Sequence, residues 1–111
     1  MSAVLPTPTT RLPELHSALL GMVKQTDAPD LSARQLAILL TLRLRGEPQT
    51  VRGLAKLLNV AKPTITRALD RLAELGFAER TVDTADRRSV LVTMLPPAND
   101  FLALLQADAA A

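Results

Sequence analysis

A mainly α-helical domain carrying one small β-ribbon is the fold that this sequence predicts. Apolar residues recur at helical spacing along successive stretches, whereas β-rich runs form a single pair, between Phe77 and Met94. Apolar residues make up 48% of the chain, yet Phe occurs only twice and Trp and Tyr are absent, so the core must be Leu, Ile, Val and Ala. Such a core favours helices packed on helices. At 111 residues the chain supports one domain, read here as residues 11–111 behind a ten-residue arm, 1–10.

The arm, Met1 to Thr10, contains Pro6, Pro8 and three Thr and has no basic residue; it reads as flexible and unstructured. Arg11 to Thr26 reads as a helix with Pro13 in its first turn. Its stripe of Leu12, Leu15, Leu19, Met22 and Val23 runs at spacings of three and four. His16 lies beside that stripe. As the sole histidine, with no Cys and no nearby carboxylate pair, it is a surface or interface residue rather than a ligand or base. Asp27 to Asp30 forms a linker.

Ser32 and Gln35 compose a capping box, with Leu31 able to staple onto Leu36. The helix they open runs to about Arg45 and stops at Gly46, where Arg43 and Arg45 complement the negative end of its dipole. Leu36, Ile38, Leu39 and Leu40 make a platform. Glu47, Pro48 and Gln49 form a loop from which a residue or two can pair as an additional strand.

From Thr50 to Leu75 two helices meet at a tight bend. Thr50 caps Val51–Leu58, and Asn59 ends it in a left-handed conformation that Asn tolerates. After Val60 and Ala61 a second helix opens, with Lys62 and Pro63 in its first turn, where a missing N–H costs nothing. Leu54, Leu58, Val60, Ile65, Leu69 and Leu72 close a core between them, and the small Ala55 permits a close crossing. This is the pattern of a helix-turn-helix, whose second helix enters the DNA major groove. Facing outward are Lys62, Thr64, Thr66, Arg67, Asp70 and Arg71. Lys and Arg neutralise phosphates, Arg bonds guanine in bidentate fashion, and Thr bonds base edges or touches the thymine methyl. Alone, the helix is equally an ordinary amphipathic one with a solvated charged face; its neighbours decide.

Downstream, Gly76 stops the helix, Phe77–Val82 and Ser89–Met94 read as strands, and Asp83–Arg88 is a polar turn. Arg87 and Arg88 near the tip suit a minor groove, whose negative potential attracts Arg. An Asp-Arg-Arg turn held by local ion pairs would be the blander explanation were it not directly behind a helix-turn-helix.

The run Thr64-Ile65-Thr66-Arg67-Ala68-Leu69-Asp70-Arg71-Leu72-Ala73-Glu74-Leu75-Gly76-Phe77-Ala78-Glu79-Arg80, followed by Asp83-Thr84-Ala85-Asp86-Arg87-Arg88, closely resembles the winged helix-turn-helix of the MarR (multiple antibiotic resistance) regulators. The resemblance spans about Leu31 to Met94. It implies a three-helix core plus a two-stranded antiparallel wing (77–94), flanked by N- and C-terminal helices. It also implies that the 62–75 helix reads the major groove, that Arg88 reaches the minor groove and that Asp86 steadies it. DNA-contacting residues are then expected at Thr50, Arg52, Lys62, Pro63, Thr64, Thr66, Arg67, Arg71, Arg87 and Arg88.

The C-terminal end departs from that family. Met94, Leu95 and Pro97 replace the usual Leu-Thr and Gly, so Pro96–Pro97 must set the break before a short helix at 98–109. Family members dimerise through longer helices at both ends. Here the 11–26 and 98–109 helices are the expected dimerisation elements, through Leu12, Leu15, Leu19, Met22, Phe101, Leu102 and Leu105. The two apolar faces exceed what so small a core can cover, although they could instead cover each other within one subunit. A dimer would set two recognition helices about 34 Å apart and read a near-palindromic site.

Formal net charge is only +2, but residues 43–90 hold ten Lys/Arg against six Asp/Glu, while the remainder holds three against five. Positive charge gathers on the segment proposed to meet DNA. Absence of Cys removes disulfides and thiolate metal sites. No catalytic constellation, phosphate loop or metal-ligand cluster is present, so no enzyme activity, cofactor or metal is expected. No apolar run spans a membrane and no signal-peptide layout appears, which makes the cytoplasm the default. The expected partners are double-stranded DNA and a second copy of the chain.

The favoured function is a sequence-specific transcriptional regulator, a dimeric repressor occluding a promoter. The alternative is a winged-helix protein-interaction module that holds another regulator or polymerase without DNA specificity of its own. A small-molecule effector stays open. The family often binds small anionic aromatic ligands, but a chain with so few aromatics points to control by abundance or partner.

Overall fold

The computed structural model describes residues 11–107. The expected arm at 1–10 and the last two residues of the 98–109 helix lie outside the described residues. In order, the elements are α1 (Arg11–Val23), α2 (Ala33–Arg45), β1 (Gln49–Thr50), α3 (Val51–Leu58), α4 (Lys62–Glu74), β2 (Ala78–Val82), β3 (Val90–Met94) and α5 (Pro96–Ala107). The chain divides into two compact units. One is Leu31–Asn99; the other joins the described residues up to Asp30 with those from Asp100 onward.

In the Leu31–Asn99 unit, each helix boundary has a local cause. Ser32 Oγ accepts from the Gln35 N–H at 3.1 Å while Gln35 Oε1 accepts from the Ser32 N–H at 2.9 Å, completing the capping box. Gly46 closes α2 at φ 68°, its N–H donating to the Leu42 carbonyl. Thr50 Oγ1 accepts from the Gly53 N–H at 2.9 Å to start α3. Asn59 ends α3 at φ 57°, ψ 49°, and the Val60 N–H returns to the Ala55 carbonyl. Gly76, at φ 74°, repeats that geometry after α4, with the Phe77 N–H donating to the Leu72 carbonyl.

The core of this unit is aliphatic. Ile38, Leu39 and Leu42 of α2, Val51, Leu54 and Ala55 of α3, and Ile65, Ala68, Leu69 and Leu72 of α4 are buried, together with Phe77, Ala78 and Val92. α4 packs on α2, α3 and β2. Leu36 and Leu40, expected in the platform, and Leu58 and Val60, expected in the core between α3 and α4, are only half-buried.

The expected two-stranded wing is a three-stranded antiparallel sheet, ordered β1-β3-β2. β1 sets Gln49 opposite Val92 and Thr50 opposite Leu91, so the loop after α2 does supply the additional strand. Its pairing satisfies the backbone groups of β3 that β2 does not reach. In the ribbon, Ala78 faces Met94, Arg80 faces Val92 and Val82 faces Val90.

The second unit contains α1 and most of α5. α1 ends at Val23 rather than Thr26, and residues 24–28 continue as turns closed by the bonds Gln25 N–H to Met22 O and Ala28 N–H to Gln25 O. Pro29 disfavours a helical Ala28, so the helix could not have run through. α5 begins at Pro96, two residues before the expected start. The two prolines do not set a break; they occupy the first turn, where no intrahelical N–H is needed, and the Ala98 N–H donates to the Leu95 carbonyl.

Candidate nucleic-acid interface

The register of the sheet decides which cations meet. Because Thr50 lies opposite Leu91, the start of α3 is carried to the root of the returning wing strand. The tight Asn59–Ala61 turn brings the start of α4 to the same place. There Thr50, Val51, Arg52, Lys62, Arg88, Ser89 and Val90 line one crevice. Three of them are cations from three different elements, and none is an acid. Arg52, Lys62 and Arg88 are all exposed. Three cations converging on one point concentrate positive potential, which attracts a polyanion.

On α4 the buried residues Ile65, Ala68, Leu69 and Leu72 recur at helical spacing, which turns the other face outward. Lys62, Pro63, Arg67, Asp70 and Arg71 are exposed, and Thr64 and Thr66 are half-buried. Thr66 Oγ1 donates to the Lys62 carbonyl at 3.2 Å, which leaves its lone pairs available. The first turn of α4 has no side-chain cap; Pro63 has no N–H and the Thr64 N–H donates to the Ala61 carbonyl at 3.0 Å, so the Lys62 N–H is the one left to an outside acceptor. Towards the other end the charges are tied up: Arg71 lies 3.7 Å from Glu74, and Arg80 of β2 lies 2.7 Å from Asp70. Among the described residues Lys62, Arg67, Arg87 and Arg88 form no ion pair with the protein.

The turn of the wing is held by hydrogen bonds, not by the ion pairs of the blander explanation. Asp83 Oδ1 accepts from the Ala85 N–H at 2.9 Å. Asp86 Oδ1 accepts from the Arg88 N–H at 3.1 Å and its Oδ2 from the Ser89 hydroxyl at 3.2 Å. Asp86 thus grips the backbone of Arg88 and leaves the guanidinium free to reach outward. Thr50, expected to touch DNA, spends its hydroxyl on the α3 cap.

The structure brings together Thr50, Arg52, Lys62 and Arg88, and aligns Pro63, Thr64, Thr66, Arg67 and Arg71 along α4. Arg87 is exposed in the wing turn but is not part of the crevice. Sequence reasoning missed Ser89, whose hydroxyl helps to fix the turn, and Arg80. The separation of Asp70 and Arg80 by ten residues across a helix end, a turn and a strand offers no local signal. The expected dimer residues divide. Leu12, Leu15 and Leu19 of α1 are 61%, 54% and 37% exposed, whereas Met22, Phe101 and Leu102 are buried within the chain itself and Leu105 is half-buried. Of the two expected faces, the N-terminal stripe is the one left as open apolar surface, extended by Val23. Among the described residues there is no cluster of potential metal ligands, and no helix is long and apolar enough to cross a membrane.

A family model described as the MarR family matches residues 31–90, more than half of the chain. The chain is 39% identical over 66 residues to the HTH-type transcriptional regulator PecS of Dickeya dadantii, covering 58% of this chain and 40% of that protein. It is 39% identical over 67 residues to the multiple antibiotic resistance protein MarR of Salmonella typhimurium, covering 60% of this chain and 46% of that one. The chain therefore spans less than half the length of these relatives. Among solved structures, the transcriptional regulator Tm0710 of Thermotoga maritima superposes with a TM-score of 0.74 at 24% identity, over 95% of this chain and 75% of that one. A mutant MarR from E. coli complexed with operator DNA gives a TM-score of 0.68 at 24% identity, over 90% of this chain and 68% of that one. At such identity the likeness to the solved structures is one of fold.

Proposed function

The chain belongs to the MarR family of transcriptional regulators, and on that premise we propose that it binds double-stranded DNA sequence-specifically as a dimeric repressor. In this reading α4 lies in the major groove. Its outward Thr64, Thr66 and Arg67 read base edges, while Arg87 and Arg88 of the wing meet the adjacent minor groove and its flanking phosphates. The observation that carries the proposal is the crevice where Arg52, Lys62 and Arg88 converge at the start of α4, with no acid among the residues that line it. Three cations at one point, at the positive end of the α4 dipole, suit the phosphate chain that borders a groove. The exposed Leu12, Leu15 and Leu19 stripe supports a second copy as partner, because a row of large apolar side chains on one helix face gains by burial. Two copies related by a two-fold axis would read a near-palindromic site.

Gel shifts at increasing salt test the proposal. Affinity should fall with a log–log slope of about −0.9 per phosphate neutralised. Replacing Arg52, Lys62 or Arg88 with Ala should weaken all duplexes and flatten that slope by about 1. Replacing Arg67 with Ala should instead relax the preference among sequences. Absence of DNA affinity at low salt would refute the proposal and favour a protein-interaction module.

A further inference from the structure

The sheet turns one charged residue toward the helices. Arg80 lies opposite Val92, and residues directly opposite in an antiparallel pair project to the same side of the sheet. Val92 is completely buried, so Arg80 leaves β2 on the core-facing side, between Ala78 and Val82. Its aliphatic stem crosses toward α4, which packs on β2. There its Nη2 donates to Asp70 Oδ1 at 2.7 Å, with the two side chains 31% and 57% exposed. An inward-facing Arg on a strand needs an acceptor, and Asp70 is the one supplied by the outward row of α4. The contact joins α4 to the wing, whereas the ion pair of Arg71 with Glu74 stays within α4.

We infer that Asp70 and Arg80 are positioning residues, a clasp that fixes the wing relative to α4 so that both elements meet one DNA duplex in register. The inference rests on the DNA-binding reading above. It gives Asp70 a role opposite in sign to its charge. A carboxylate among Lys62, Arg67 and Arg71 repels phosphates, and simple electrostatics predicts tighter DNA binding when it is neutralised. The clasp predicts weaker recognition, because neutralisation frees the wing.

The test uses the full chain, a duplex selected from a randomised pool by the wild-type protein, and a random duplex of equal length. Amide hydrogen exchange of residues 78–82 and 90–94 is measured without DNA. D70N and R80Q should each weaken the selected duplex roughly five-fold, the factor a well-formed exposed ion pair supplies. D70N should leave the random duplex unchanged or bound more tightly, and both variants should accelerate exchange in the wing. The reversed pair, D70R with R80E, should recover slow exchange and most of the preference for the selected duplex. If D70N binds the selected duplex as well as wild type does, or wing exchange stays unchanged, the inference is overturned. Should the wild-type chain select no duplex, the DNA-binding reading fails. Exchange then still decides the clasp: faster in D70N and restored in the reversed pair supports it, and equal rates refute it.

Discussion

Gly53 sits on the exposed side of α3, where replacing glycine with alanine ordinarily stabilises a helix by about 1 kcal/mol. Here that gain meets an obstacle. A Cβ built on Gly53 would lie 2.8 Å from Thr50 Oγ1, the atom that caps the helix by accepting from the Gly53 N–H at 2.9 Å. The hydroxyl cannot hold its place against a carbon at that distance. Thr is branched at Cβ, so moving it means changing rotamer and losing the cap, which costs about 1 kcal/mol. Gly53→Ala should therefore leave stability unchanged or lower it by up to about 1 kcal/mol. In a Thr50→Ala background the obstacle is gone, and the same substitution should stabilise by about 1 kcal/mol. A double-mutant cycle in urea, read as midpoint shifts at constant slope, should return a coupling of at least about 1 kcal/mol between the two sites. Equal stabilisation by Gly53→Ala in both backgrounds would show that the cap and the glycine are independent, and the reasoning would fail.

Two further outcomes are expected. Asn59→Ala should lose about 1 kcal/mol, because alanine resists the left-handed conformation at φ 57°, whereas Asn59→Gly should be nearly neutral; equal losses in urea melts would place the role of Asn59 elsewhere. Replacing Leu12, Leu15 and Leu19 together with Ser should convert a dimer to a monomer in sedimentation equilibrium while the far-ultraviolet circular dichroism stays intact. A variant that sediments like wild type would remove the α1 stripe from the interface.

What the sequence disclosed is what neighbouring residues decide between themselves. The Ser32–Gln35 box, the Thr50 cap and the left-handed Gly46, Asn59 and Gly76 are each settled within a few positions, and all are found as read. The run from Thr64 to Arg88 likewise carries enough local pattern to indicate the family. Features that depend on distant partners were less legible. β1 exists because β3 offers it an edge, and its two residues have no pattern of their own. The Asp70–Arg80 contact needs the helix and strand already placed. Apolar spacing marked Met22, Phe101 and Leu102 as surface-seeking, but periodicity reports that a face is apolar, not what covers it. Pro96 and Pro97 were read as a break because proline stops helices from within, although it opens them just as readily.

The order β1-β3-β2 leaves both flanks of the sheet without a further strand, and β1 on one of them is only two residues long. β2, at the other rim, is only five residues long and carries Glu79 and Arg80. A short margin studded with charge is a poor template for a stray chain, since joining it would strip water from ionised groups. The same economy that gives this protein so small a ribbon also shields it from self-association through that ribbon.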